Sequence, residues 1–301
     1  GVPILIAAGV LAVDQRGFWN ERVRSFQAAV RPHAAEERGC FTRDPIDKRD
    51  MAACTWNPEA GGFPIYLVGD SNAEHFSEGV MDAASQEGHP VVIATSPSCP
   101  YIDVALSGVT ADEFSWCHDY VASLSTWLQG QPPGLVIFGQ SDDYWWNSRI
   151  AVEDASGVAQ HAPASKQPLL AEGLRSTIDT ARALGNDVVL VNSVPHFRYP
   201  EPLWDPSSCS VFMIAAGDCR RDIQRTTIDR EQASARETLS SLGSELSIPV
   251  LDFTERYCTS TSCSTASEGA TTYRDHSHLS IAESKKLSDE FRAQIMNAHL
   301  N

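Results

Sequence analysis

A chain of 301 residues with 42% hydrophobic and 21% charged residues is long enough to bury its own core and too apolar to be disordered. Its net charge of −16 and pI near 4.9 exclude nucleic acid, whose phosphates it would repel, and docking on anionic lipid through a basic face.

The run from Val2 to Val13 is apolar throughout. It is shorter than the roughly 20 residues a bilayer requires, and it lacks the basic start and cleavage site of a signal peptide. Residues 1–13 are therefore read as the end of a truncated transmembrane helix, with Phe18 and Trp19 near the interface; the alternative is a buried strand or core helix. Residues 14–62 are read as a linking helix and extension. Within them Trp19, Val23, Phe26 and Val30 recur at spacings of three and four, which predicts a helix whose apolar stripe packs against the rest of the chain. Residues 31–62 are rich in charge and end in Pro58-Glu59-Ala60-Gly61-Gly62. They read as an irregular connection pinned by Cys40 and Cys54.

Residues 63–301 read as the main domain. Ile65–Val68, Val91–Thr95, Leu135–Phe138, Val188–Val191 and Val250–Phe253 are short apolar runs separated by helix-length segments. This alternation predicts an α/β fold with about five parallel strands and helices on both faces. Ligands of such open sheets collect at the carboxyl ends of the strands, where Ser71, Ser96, Gly139 and Ser193 would lie. Trp145 and Trp146 follow the third run and read as core or domain-contact packing, with stacking on a sugar face as the alternative. Residues 148–167 have weak periodicity and read as a mobile loop over the cleft. Pro195 to Pro200, after the fourth strand, reads as a rigid turn, with lining of the acceptor side as the alternative, and Ile281, Leu287, Phe291 and Ile295 mark one face of a last helix.

The eight cysteines fall into close neighbours, Cys40/Cys54, Cys99/Cys117, Cys209/Cys219 and Cys258/Cys263. Sequential pairing predicts four local disulfides and hence an oxidising, extracytoplasmic compartment. Zinc is the competing reading, although none of the pairs has C-x-x-C spacing.

The residues that carry chemistry stand far apart in the chain. Ile65-Tyr66-Leu67-Val68 runs straight into Gly69-Asp70-Ser71-Asn72, a strand entering a tight turn where the Ser71 hydroxyl projects at the sheet edge. A serine hydroxyl needs a neutral imidazole to take its proton and a carboxylate to fix that imidazole's tautomer. Asp275 and His278, in Asp275-His276-Ser277-His278-Leu279-Ser280, fold back on one another within a single turn and leave one ring nitrogen free for Ser71. His276 reads as a solvated turn residue.

The order Ser71, then Asp275-x-x-His278, resembles the SGNH/GDSL hydrolase superfamily. The GDSN block, the paired cysteines and the D-x-x-H-L-S sequence are similar to the SGNH domain fused to acyltransferase-3 membrane proteins, which O-acylate cell-envelope glycans. The resemblance implies a flavodoxin-like, three-layer SGNH fold and an extracytoplasmic serine-dependent O-acyltransferase. Its acceptor would be an envelope polysaccharide or glycolipid, and an N-terminal acyltransferase-3 membrane domain would use acetyl-CoA and hand on the acyl group. No cofactor or metal is expected in this domain. An acyl esterase with the same triad, or a catalytically silent glycan-binding domain, is the alternative.

In the wider superfamily a glycine after the second strand and an Asn in a G-x-N-D block after the third help bind the developing oxyanion, with the nucleophile's own amide. This chain has Ser96-Pro97-Ser98-Cys99 and Gly139-Gln140-Ser141-Asp142 there, with Ser141 in place of the Asn. The expected substitutes are backbone amides at Ser71, Ser98 or Gly139, or the Gln140 side chain.

Overall fold

The computed structural model describes residues 20–108, 114–198, 203–267 and 269–298. The segment 1–13, together with Phe18 and Trp19, lies outside them, and so do Tyr199 and Pro200. Among the described residues no helix is long and apolar enough to cross a membrane.

The first helix, α1 (Glu21–Ala29), is capped by Asn20 and buries Val23 and Phe26. A short helix, α2 (Ala34–Glu37), and strand β1 (Thr55–Trp56) follow. The central sheet then takes β2 (Ile65–Gly69), β3 (Val91–Thr95), β4 (Leu135–Gly139), β5 (Asp187–Val191) and β6 (Val250–Leu251). Its order is β1-β3-β2-β4-β5-β6, parallel throughout except for β1 against β3. Between the strands lie α3 (Ser71–Glu74), α4 (Ser77–Glu87), α5 (Ser115–Gln129), α6 (Asp143–Trp146), α7 (Pro163–Ala183), α8 (Val211–Ala216) and α9 (Arg225–Leu246). After them come α10 (Ile281–Lys285) and α11 (Ser288–Asn297).

The strands read as unbroken apolar runs because both faces of the sheet are covered. Ile65, Leu67, Ile93 and Ile137 turn toward Val80 and Ala84 of α4 and Phe291 and Ile295 of α11. Tyr66, Val68, Val136 and Phe138 turn toward Leu124 of α5, Leu174 of α7 and Leu239 of α9. The alternation of a strand's side chains thus feeds two separate cores, one for each helical layer.

All eight cysteines form the four sequential disulfides, Cys40–Cys54, Cys99–Cys117, Cys209–Cys219 and Cys258–Cys263. Their sulfurs are therefore not offered to zinc, and the bonds fit an extracytoplasmic domain, since disulfides persist in oxidising compartments.

The structure differs from the sequence reading in five places, the first being that the expected last helix is two, α10 and α11, with Leu287 in the break between them. Segment 31–62 is not wholly irregular, because Thr55 and Trp56 add an antiparallel edge strand too short to show a period. Val250–Phe253 yields only a two-residue strand, since Asp252 turns back to accept the Thr254 amide at 2.9 Å. The expected loop at 148–167 is instead a small hairpin, Ala151–Glu153 with Ala159–Gln160, leading into α7. The buried Lys166 ammonium ties it down through the carbonyls of Asn147 and Ile150, at 2.7 and 2.8 Å. Finally, the α1 stripe stops short. Val23 and Phe26 pack on Ile214 and Cys219 of the Cys209–Cys219 loop, but the helix ends at Ala29 and Val30 stands 40% exposed.

Candidate active site

β2 delivers the serine. Its residues are all buried, and it ends at Gly69 with φ of +132°, beyond which Asp70 caps α3 by accepting the Asn72 amide at 2.7 Å. Ser71, the first residue of α3, is partly exposed while Asn72, Ala73 and Glu74 are buried. The turn is tight: a Cβ on Gly69 would lie 1.8 Å from the Gly139 carbonyl oxygen, and one on Gly139 would lie 2.8 Å from Ala73 Cα. Backbone meets backbone at both points, so neither clash can be relieved by a rotamer change. Gly69→Ala is expected to cost about 3 kcal/mol or more, combining overpacking with a φ that L-residues rarely adopt. A urea midpoint equal to that of the wild type would contradict this.

The Asp70 carboxylate also accepts the Ser141 amide at 2.9 Å, locking the serine turn to the loop after β4. Its burial nevertheless holds its pKa above the ordinary carboxylate value, and the backbone bonds only partly offset that.

The base stands on a tight turn before α10. A single antiparallel bridge closes the turn: Tyr273 pairs with Leu279, and the Arg274 amide donates to the His278 carbonyl at 2.9 Å. Inside it, Asp275 Oδ1 accepts the amides of Ser277 and His278, both at 2.9 Å, and the carboxylate meets His278 Nδ1 at 2.8 Å. Burial raises the Asp275 pKa, but the His278 hydrogen bond and charge outweigh it and hold the group well below the ordinary carboxylate value. An ionised Asp275 fixes the proton on Nδ1 and leaves the lone pair on Nε2. Among the described residues His278 Nε2 is buried without a hydrogen-bond partner.

The expected hydrogen bond between Ser71 and that nitrogen is thus not made in this structure. Such bonds are often long before substrate binds and tighten in the Michaelis complex. The two residues share one end of the sheet: His75, four residues past Ser71, holds its ring 6.0 Å from that of His278. His276 is half-buried rather than fully solvated, and its carbonyl accepts the Phe197 amide at 2.6 Å.

A buried polar network flanks the serine, and it joins residues that the sequence reading kept apart: Asn72 of the serine turn, Asp142 and Trp146 after β4, and His196 and Arg198 of the expected rigid turn after β5. His196 Nε2 donates to Asn72 Oδ1 at 2.8 Å, and His196 Nδ1 lies 2.9 Å from Asp142 Oδ1. The Arg198 guanidinium meets Asp142 at 3.1 and 3.3 Å and Asp143 at 2.9 Å, and the Trp146 indole N–H donates to Asp142 at 3.0 Å. Asp142 is fully buried; burial raises its pKa, but Arg198 and His196 outweigh it and hold the carboxylate far below its ordinary value. The signal available beforehand was the pair of ionisable residues in His196-Phe197-Arg198, placed after the strand next to the one preceding Asp142.

The expected oxyanion donors divide. Ser98 is exposed and adopts a left-handed φ of +54°, so a side chain sits where glycine would be the less strained residue. Gly139 packs against Ala73. Ser141 does not replace the Asn: its amide is given to Asp70 and its hydroxyl to Asp143 at 3.2 Å. Gln140 is buried and lines a cavity of about 10 Å³ with Trp145, Gln232 and Leu239, and among the described residues its Nε2 has no hydrogen-bond partner. Trp145 is fully buried, so packing rather than sugar stacking is its role, whereas Trp146 stays at the network. Among the described residues no group of three or more His, Cys, Asp or Glu side chains is placed to hold a metal ion.

This architecture is the SGNH hydrolase fold. Residues 39–293 match the model of the SGNH domain that is fused to AT3 domains, and the chain belongs to that family. Among solved structures it is similar to the periplasmic domain of a Salmonella ser. Paratyphi A lipopolysaccharide acetyltransferase, at 15% identity and a TM-score of 0.58, covering 92% of this chain and 97% of that one. It is also similar to a GDSL-like lipase from Bacteroides thetaiotaomicron, at 11% identity, a TM-score of 0.42 and coverages of 87% and 95%. A carbohydrate esterase family 2 enzyme from Corynascus thermopiles matches at 13% identity, a TM-score of 0.43 and coverages of 79% and 67%. No curated protein matches.

Proposed function

We propose that this chain is an extracytoplasmic O-acyltransferase domain that moves an acyl group, most simply acetyl, onto a hydroxyl of a cell-envelope glycan or glycolipid. The observation that carries the reading is His278, with Nδ1 held by an ionised Asp275 and Nε2 buried and unpartnered at the end of the sheet that bears Ser71. Ser71 Oγ attacks the acyl carbonyl while its proton passes to His278 Nε2, and the leaving group departs with that proton. The acceptor hydroxyl then attacks the acyl-serine, giving its proton to His278 and restoring Ser71. Fusion to AT3 domains in the family supports a membrane domain as the immediate acyl source, with acetyl-CoA consumed there rather than here. The similarity to the periplasmic domain of a lipopolysaccharide acetyltransferase supports an envelope carbohydrate as acceptor.

Asn72 is the oxyanion donor in this reading. Its carboxamide oxygen is committed to His196, so its N–H groups are what it has left to offer, one residue after the nucleophile. The Ser71 amide is the second donor.

Transfer and hydrolysis are separated by how the acyl-serine partitions. With an activated acetyl ester as donor, adding envelope-type oligosaccharide is expected to yield acetylated sugar at the expense of free acetate. Acetate release unchanged by every glycan acceptor, with no acetylated sugar formed, would make the chain an esterase.

A further inference from the structure

Two contacts reach the candidate catalytic turn from residues ahead of position 39, where the family match begins. His33 is fully buried, and its Nε2 donates to the Leu279 carbonyl at 3.0 Å, one residue past His278. Glu36 in α2 accepts from Arg274 Nη1 at 2.6 Å, one residue before Asp275. The segment 33–36 therefore grips both shoulders of the turn that carries Asp275 and His278.

The grip is itself anchored. Glu78 of α4 accepts the Ala34 amide at 2.9 Å through one oxygen and meets His33 Nδ1 at 2.5 Å through the other. The ring of His33 thus lies between two acceptors, a carboxylate and a carbonyl, so the pair of bonds needs a proton held between His33 and Glu78. Burial opposes the His33 charge, but the Glu78 hydrogen bond together with the charges of Glu74 and Glu78 outweighs it and raises the His33 pKa. Burial likewise opposes the Glu78 charge, and His33 outweighs it in turn. Such a buried, charge-assisted pair is costly to break and stiff in direction, which suits an anchor better than a surface contact does. Glu74 and Arg274 complete the charged surroundings of His33, and burial pushes Glu74 up to about 7.

We propose that His33 and Glu36 are positioning residues for the acyl-transfer site: the segment before the family-matched region straps the Asp275–His278 turn in place. The inference rests on the triad reading given above. Because a misplacement of about 1 Å can cost on the order of 10²-fold in rate, loss of the strap acts on turnover even where the fold survives.

The test is hydrolysis of 4-nitrophenyl acetate by the whole chain, measured well below each variant's Tm, with Ser71→Ala alongside. His33→Asn keeps a donor near the Glu78 end of the ring and loses the one to Leu279. Its kcat is expected to fall by about 10–100-fold with little change in KM. His33→Gln places its amide nitrogen near the Leu279 end, and it is expected to recover most of the lost kcat. Glu36→Gln, which keeps an oxygen to accept from Arg274 at a half-buried site, lowers kcat by a smaller factor without loss of fold. Wild-type kcat in His33→Asn and Glu36→Gln beside an inactive Ser71→Ala overturns the strap alone, as does a lowered Tm with kcat intact. An active Ser71→Ala overturns the triad reading and the strap with it.

Discussion

Ser71→Ala is expected to lower acyl-transfer turnover by on the order of 10³ or more, because it removes the atom that carries the acyl group between donor and acceptor. His278→Ala should fall to a similar level. Residues that act as one unit lose nearly everything when either is removed, so the double variant should be little worse than the single ones. Stability is expected to hold in Ser71→Ala, since Ser71 is partly exposed, whereas His278→Ala also removes the Nδ1 bond to Asp275 and should lower Tm, so its turnover is measured well below that Tm. The measurement is single-turnover acylation by an activated acetyl ester, with a serine-reactive phosphonate as a second readout. Labelling at Ser71 in the wild type and its absence in Ser71→Ala are the expected pair. Near-wild-type turnover in purified, folded Ser71→Ala would sink the assignment.

Asn72→Ala carries the next largest effect. Removing one oxyanion donor costs about 10²–10³ in kcat where such donors have been deleted. Here the substitution also strands a buried His196 N–H, a separate penalty of about 1–3 kcal/mol in stability. Asn72→Asp separates the two effects. It keeps an acceptor for His196 but replaces the N–H groups with carboxylate oxygen, so kcat, measured below each variant's Tm, should fall at least as far as in Asn72→Ala although His196 keeps its partner. Burying a carboxylate at this 3%-exposed site should itself lower Tm. If Asn72→Asp turns over normally, the oxyanion charge is being met elsewhere, and the Ser98 backbone becomes the leading candidate.

The elements of the sheet were legible because burial on both faces leaves unbroken apolar runs, and four of the five runs matched strands to within a residue. The shorter elements were not. Thr55–Trp56 pairs with β3 over two residues, which no period can reveal, and the hairpin at 151–160 is held by Lys166 and by Asp154, whose Oδ1 accepts the Ser156 and Val158 amides. The α1 stripe was half right, because an apolar spacing identifies a helix face but not the surface that will cover it.

Within the site, the sequence by itself determined the local pieces. Gly69-Asp70-Ser71-Asn72 at the end of an apolar run and Asp275-x-x-His278 are each closed by contacts within three residues, and the four disulfides join near neighbours. Local contacts depend on short stretches of backbone, so they survive being read in one dimension. Only the tertiary structure decided the rest. Asn72 meets His196 across 124 positions, Arg198 meets Asp142 across 56, and His33 meets Leu279 across 246. Each is a polar group taken out of water, which must find a partner or bear the cost of its desolvation, and the partner is whatever the neighbouring strand ends bring alongside. For the same reason Gln140 and Ser141, adjacent in the chain, part company: the Ser141 hydroxyl finds Asp143, while the Gln140 amide nitrogen is buried without a partner among the described residues, a difference set by packing after the sheet has formed.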